Sequence, residues 1–293
     1  MTAAKKTLRL IFPDWQHGAN PSAGFVPRLI ATIAPQGAKA ETAEVPEPEF
    51  VNDQAHVDLM AAQAAIARPE EDFKGFYETT LKVLEEKDPE HVISFATDGA
   101  VTLCTADYLH RKYPDLGVLW IDAHREHVTP ERFWKKRVII ASAVTGSQEF
   151  LDGIVKNPIE KSRFFFISRD PEEIPPADRA QFEHLGIVLG DRSAVQPEST
   201  RILDWIRESG VKQLIVHFDL DSVGAADLRS GIYREEAWQE VSDKPESLVP
   251  ALRRIFATVR KEVEVVGFDL MEYELLQTTD FVELMKDCPI FAE

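Results

Sequence analysis

Two apolar runs in this chain end in side chains that can bind a metal ion. Gly117 to Ile121 passes directly into Asp122-Ala-His-Arg-Glu-His127, and Leu214 to Phe218 passes into Asp219-Leu-Asp221. Residues two apart on an extended chain face the same way. Asp122, His124 and Glu126 therefore converge if the extended conformation persists, and Asp219 and Asp221 form a matching pair. Together they offer four carboxylates and one imidazole. Such a set suits a divalent cation of borderline hardness, so Mn²⁺ is the expected ion, one or two per chain, with other divalent metals also accommodated. A lone Asp-x-Asp is usually a turn or a helix cap, but two ligating clusters, each closing an apolar run, favour a metal site.

The elements that would position these residues follow from the pattern around them. Near-continuous apolar runs of this length read as strands buried on both faces, as in a parallel sheet. The carboxyl edge of an open parallel sheet is where ligands bind. Further strands are expected near residues 8, 92, 164, 187 and 264, with one more unplaced, giving about eight. Helices are expected over Phe25 to Ile33, Asp53 to Ile66, Glu70 to Glu86, Ala100 to Lys112, Glu131 to Gly146, Ala177 to His184, Ser199 to Ser209, Ser247 to Arg260 and Asp280 to Met285. Pro35 to Glu49 has neither helical nor strand periodicity and reads as an exposed excursion. Strands alternating with helices imply an α/β fold with helices on both faces of a mostly parallel sheet. A dinucleotide or phosphate-loop reading is disfavoured, because neither a Gly-x-Gly-x-x-Gly run nor a Gly-Lys-Ser/Thr loop occurs.

Composition bounds the function from the outside. The chain has 293 residues, 44% of them hydrophobic, and is expected to form one domain over residues 1–293. Its formal net charge of -17, from 50 acidic against 33 basic residues, argues against nucleic acid or an anionic membrane surface as the partner. The same charge favours cationic small molecules diffusely, and it also describes a solvated acidic surface. Two cysteines, Cys104 and Cys288, give neither a disulfide scaffold nor a thiolate metal site, and both are expected reduced in or near the core. No signal peptide is evident and no apolar run approaches a membrane span, so the cytoplasm is the expected compartment.

Asp122-Ala-His-Arg-Glu-His-Val-Thr-Pro130 resembles the Asp-Ala-His-x-Asp-x-x-Thr-Pro signature of the ureohydrolases, the arginase, agmatinase and formiminoglutamase family. Phe218-Asp-Leu-Asp221 resembles the family's second Asp-x-Asp signature, and Asp269-Leu-Met-Glu272 its late Asp-x-x-Glu segment. Ser94-Phe-Ala-Thr-Asp-Gly99 sits where the family has Gly-Gly-Asp-His. The opening, Leu8-Arg-Leu-Ile-Phe-Pro-Asp-Trp-Gln-His-Gly18, is similar to a divergent bacterial branch of arginase-like proteins. The resemblance implies a three-layer α/β/α arginase-like fold and two Mn²⁺ ions sharing a hydroxide that attacks a guanidino or amidino carbon. It assigns Asp122, His124, Asp219 and Asp221 to one metal and Glu272 to the substrate's guanidinium or amine. The catalytic set it implies is Asp122, His124, Asp219 and Glu272. It also implies a homo-oligomer, a trimer or hexamer.

Four places depart from the family pattern. Gly99 stands where the family carries a metal-ligating histidine, and Glu126 where it carries an aspartate. Phe133 to Arg137 supplies no histidine where the family has a proton shuttle, and Gly224-Ala225 replaces an Asp-Pro pair. The expected activity is thus a metal-dependent hydrolase of a guanidino or amidino compound with an incomplete second metal site, working with one firmly held metal or with that site rebuilt by His127 or His17. Two alternatives stand beside it. One is a catalytically inactive arginase-like protein acting as a binding or regulatory subunit, for instance of an active paralogue. The other is an α/β protein whose resemblance misleads. Retention of clustered carboxylates speaks for a bound ion, since without one they would repel each other at a cost in stability.

Overall fold

The computed structural model describes residues 5–12, 25–37, 39–46, 69–96, 99–121, 144–146, 154–167, 180, 183–184, 186–195, 199–219, 248–271 and 278–291. Its apolar runs become the strands of one eight-stranded sheet: β1 (Thr7–Ile11), β2 (Glu41–Glu44), β3 (His91–Phe95), β4 (Leu116–Ile121), β5 (Phe164–Ile167), β6 (Val188–Gly190), β7 (Gln213–Asp219) and β8 (Glu264–Met271). Their order is β2-β1-β3-β8-β7-β4-β5-β6, and every pairing is parallel. The expected α/β architecture of about eight strands is therefore what forms.

Alternation along the strands divides the core in two. Val118 and Trp120 of β4 pack into one apolar layer, and Leu119 and Ile121 into the other. The first layer is covered by α2 (Pro69–Lys87) and α3 (Ala100–Lys112) through Phe76, Tyr77, Leu84, Leu103 and Leu109. The second is covered by α1 (Val26–Ile33), α4 (Arg201–Ser209), α5 (Leu248–Val259) and α6 (Thr278–Asp287) through Ile30, Trp205, Phe256 and Met285. Helices on both faces give the three layers. Cys104 and Cys288 are buried, one in each apolar layer.

The helices begin and end where their residues dictate. Pro27 sits in the first turn of α1, where its missing N–H costs nothing. α4 ends at Gly210, which takes the left-handed conformation at φ 70° that only glycine adopts freely. One expectation fails here. Pro35 to Glu49 reads in the sequence as an exposed excursion, yet Glu41–Glu44 forms β2, the unplaced eighth strand, in parallel register with β1 from Leu8↔Glu41 to Ile11↔Glu44. The pattern hid it because an edge strand with half-exposed side chains needs no apolar alternation; its backbone pairing suffices. Lys87 on α2 and Arg28 on α1 form ion pairs with Glu41 and Glu44 at its two ends. The helices expected over Asp53 to Ile66 and over most of Glu131 to Gly146 and Ala177 to His184 lie outside the described residues.

Candidate metal centre at the carboxyl edge of the sheet

Four neighbouring strands, β3, β8, β7 and β4, end level with one another. Phe95 pairs with Leu270, Phe218 with Leu270 and Ile121 with Phe218, while Asp219 at the end of β7 pairs with Met271 at the end of β8. Parallel order puts all four carboxyl ends on one edge. The segments singled out for chemistry leave the sheet there: Asp122 follows Ile121, Asp219 closes β7, Glu272 follows Met271, and the segment after β3 reaches Gly99 at the start of α3. Asp219 is described as strand backbone; Asp122, His124, Glu126, Asp221 and Glu272, like His17 and His127, lie outside the described residues. Among the described residues no group of three or more His, Cys, Asp or Glu side chains is placed to hold a metal ion.

Directly beneath this edge lies a buried polar network. Asp269 of β8 is completely enclosed, and its Oδ2 accepts hydrogen bonds from Thr102 Oγ1 and Thr105 Oγ1 of α3, each at 2.8 Å. Burial pushes its carboxyl up to about 6, from an ordinary 3.8, and the hydroxyl donors hold it from rising further. Thr102 Oγ1 also lies 2.7 Å from Nδ1 of His217, on β7. The His217 ring is fully buried and stacked on Trp120 of β4, with centroids 3.3 Å apart and planes inclined by 15°. Phe166 flanks the indole, in a stacked arrangement with centroids 6.1 Å apart.

Gly99 borders this stack. A Cβ placed there would come within 3.1 Å of Trp120 Cη2 and 3.2 Å of His217 Cε1, closer than an ordinary carbon contact. Glycine at this position is thus matched to its surroundings: the space a side chain would use is filled by the Trp120–His217 pair. His217 lies inside the apolar run LIVHF, where the sequence pattern marks only a core position. It precedes Asp219 by two residues on the same strand, so the two share one parity of the pleat. Thr102, Thr105 and Asp269 carried no such signal, because their meeting depends on α3 packing across β7 and β8.

No family model matches the sequence, and no curated protein does. Solved structures do match in shape over nearly the whole chain. An arginase from Entamoeba histolytica, determined in complex with L-ornithine, superposes with a TM-score of 0.68 at 14% identity, covering 98% of this chain and 97% of that one. The agmatine ureohydrolase of Thermoplasma volcanium gives 0.56 at 12% identity over 99% and 90%. The formimidoylglutamase of Bacillus subtilis gives 0.58 at 10% identity over 100% and 87%. The chain has the arginase-like ureohydrolase fold, as the signature residues led one to expect. No described helix is long and apolar enough to cross a membrane.

Proposed function

We propose that this chain is a divergent, single-domain member of the ureohydrolases, a metal-dependent hydrolase that cleaves a C–N bond of a small guanidino or amidino compound. The observation that carries the reading is that β4, β7 and β8 end on one edge of the sheet, Asp219 being the last residue of β7 and Asp122 and Glu272 the next residues in sequence after β4 and β8. Support also comes from the fold shared with arginase, agmatine ureohydrolase and formimidoylglutamase structures.

The residues suit a divalent ion on one side of the site. Asp122, His124, Asp219 and Asp221 would hold it, and a carboxylate-rich set with imidazole favours Mn²⁺. On the other side the fit stops at Gly99, which brings no donor and whose Cβ position is crowded by Trp120 and His217. A bound ion would supply Lewis acidity and a water that loses its proton near neutral pH. Glu126 would reach the ion through a chain one methylene longer than aspartate, and Glu272 would pair with the cationic end of the substrate. The assembly is proposed to be a homo-oligomer in the cytoplasm.

A second reading, an inactive relative acting as a binding or regulatory subunit, is favoured by Gly99 and by the absence of a histidine from Phe133 to Arg137. Metal content separates the readings from a misleading resemblance. Protein loaded with Mn²⁺ and dialysed should retain at least one ion per chain, lost in Asp219→Ala. Retention must be followed by turnover of a guanidino or amidino compound for the hydrolase reading to stand. A wild-type chain that retains no ion would refute it.

A further inference from the structure

We infer that His217 is a metal ligand of this chain, standing in for the side chain that Gly99 lacks; the inference rests on the metal-dependent reading above.

Position is the first argument. His217 lies on β7, in the middle of the four strands that end at the candidate centre, two positions before Asp219 and at the same parity of the pleat. Its Cε1 edge faces Gly99, 3.2 Å from where the residue-99 Cβ would be. A side chain reaching in from the start of α3 and the imidazole of His217 thus compete for one volume. The chain carries the imidazole on the strand and glycine on the helix.

The second argument is the proton inventory. Thr105 and Thr102 both point their hydroxyls at Asp269 Oδ2, and a hydroxyl has only one proton to give. With that proton on Asp269, Thr102 Oγ1 can only accept from His217, so Nδ1 carries the N–H. The ring is then the tautomer whose lone pair is on Nε2. A carboxylate acting on a ligating imidazole through its far nitrogen is the arrangement that fixes both ring orientation and tautomer at metal sites. Here a threonine hydroxyl relays the carboxylate.

The third argument is cost. A leucine or phenylalanine would fill this apolar layer without desolvating an imidazole. Instead, Trp120 clamps the ring flat, Thr102 pins it by one nitrogen, and Asp269 is kept fully buried to hold Thr102. A simple space filler needs none of these.

The test compares metal content in wild type, His217→Ser and the exchange variant Gly99→His/His217→Ser, each as full-length chain loaded with Mn²⁺ and dialysed. Unfolding curves establish that each is folded. Cobalt loading reports ligand number through visible absorption, independently of turnover. The expected result is one ion fewer per chain in His217→Ser, with a changed cobalt spectrum, and recovery of the ion in the exchange variant. If serine leaves too large a cavity to fold, His217→Asn replaces it, since its amide reaches Thr102 but carries no nitrogen lone pair at the Nε2 position. A folded His217 variant with the wild-type ion count and spectrum would overturn the inference and leave the hydrolase reading intact. A wild type with no ion would overturn both.

Discussion

Gly99→Ala should destabilise the metal-free protein, and the same change in a His217→Ala background should cost about 2 kcal/mol less. Gly99 has φ -68° and ψ -5°, a right-handed conformation that alanine adopts without strain. Removing glycine's freedom from the unfolded chain is therefore worth about 0.4–1 kcal/mol in favour of folding. Against this, the new methyl would meet Trp120 at 3.1 Å and His217 at 3.2 Å, so its neighbours must retreat by several tenths of an ångström. Neither ring has room, because Trp120 is held between His217 and Phe166 and both Trp120 and His217 are completely buried. Overpacking of this kind costs about 1–3 kcal/mol. The net expectation is a loss of about 1–2 kcal/mol. With His217 cut back to alanine, the methyl fits, the indole can relax into the vacated volume, and the overpacking cost disappears. Any preference of the helix start for glycine enters both legs equally and cancels. The coupling between the two sites is then about 2 kcal/mol, well above the few tenths expected of independent sites. Urea unfolding followed by circular dichroism, in the presence of a chelator, measures all four corners of the cycle. Equal effects of Gly99→Ala in both backgrounds would refute the claim that the stack occupies the residue-99 space.

Asp269 keeps its proton in the folded state up to about pH 6 but loses it near 3.8 when unfolded, so the native state binds more protons in that window and stability falls as pH rises through it. The lost amount is about 3 kcal/mol; Asp269→Asn should gain on wild type by that much between pH 4 and 7, and a gap that stays constant with pH would contradict the burial argument. Tyr77→Phe removes a phenol that donates to the buried Asp107 carboxylate, which also holds the backbone N–H groups of Lys156 and Asn157 at 2.8 Å. Thermal unfolding should report a loss of about 1.5–3 kcal/mol, and no loss would show the hydrogen bond to be dispensable. Gly267→Ala should cost more than Gly99→Ala, because its Cβ would lie 2.6 Å from Ile215 Cγ1 in the middle of the sheet; equal denaturation midpoints would argue against that close approach. For an active enzyme, Glu272→Ala should raise KM far more than it lowers kcat, and unchanged saturation kinetics would refute its pairing with the substrate cation.

The sheet was largely legible because its strands advertise burial. Runs such as LGVLWI and LIVHF, each ending at an aspartate, read as buried strands, and the stop at Gly210 is written in one glycine. β2 was illegible for the opposite reason: ETAE owes its place to backbone pairing and end charges, which leave no apolar signature. That Asp219 closes one strand and Asp122 comes next after another was readable from the apolar runs. The network beneath them was not, since Thr102, Thr105, His217 and Asp269 come from three separated elements, and each alone passes for an ordinary core or capping residue. Gly99 was readable as an omission, but not as one half of an exchange of volume with His217.

The strand order has a consequence for how the molecule is made. β8, the last strand among the described residues, lies between β3 and β7 near the centre of the sheet, so β2-β1-β3 and β7-β4-β5-β6 are joined through it. A chain emerging from the ribosome can pair its first three strands early and its next four later. The two halves stay separate, each with an open apolar edge, until residues near Glu264 are released. Contacts between strands so distant in sequence are slow to form and expose partly folded chains to aggregation. Because the candidate centre spans that same junction, a nascent chain would gain its ion-binding edge only in the final step of folding. Metal added during synthesis should then do little for the yield of folded protein until β8 has left the exit tunnel.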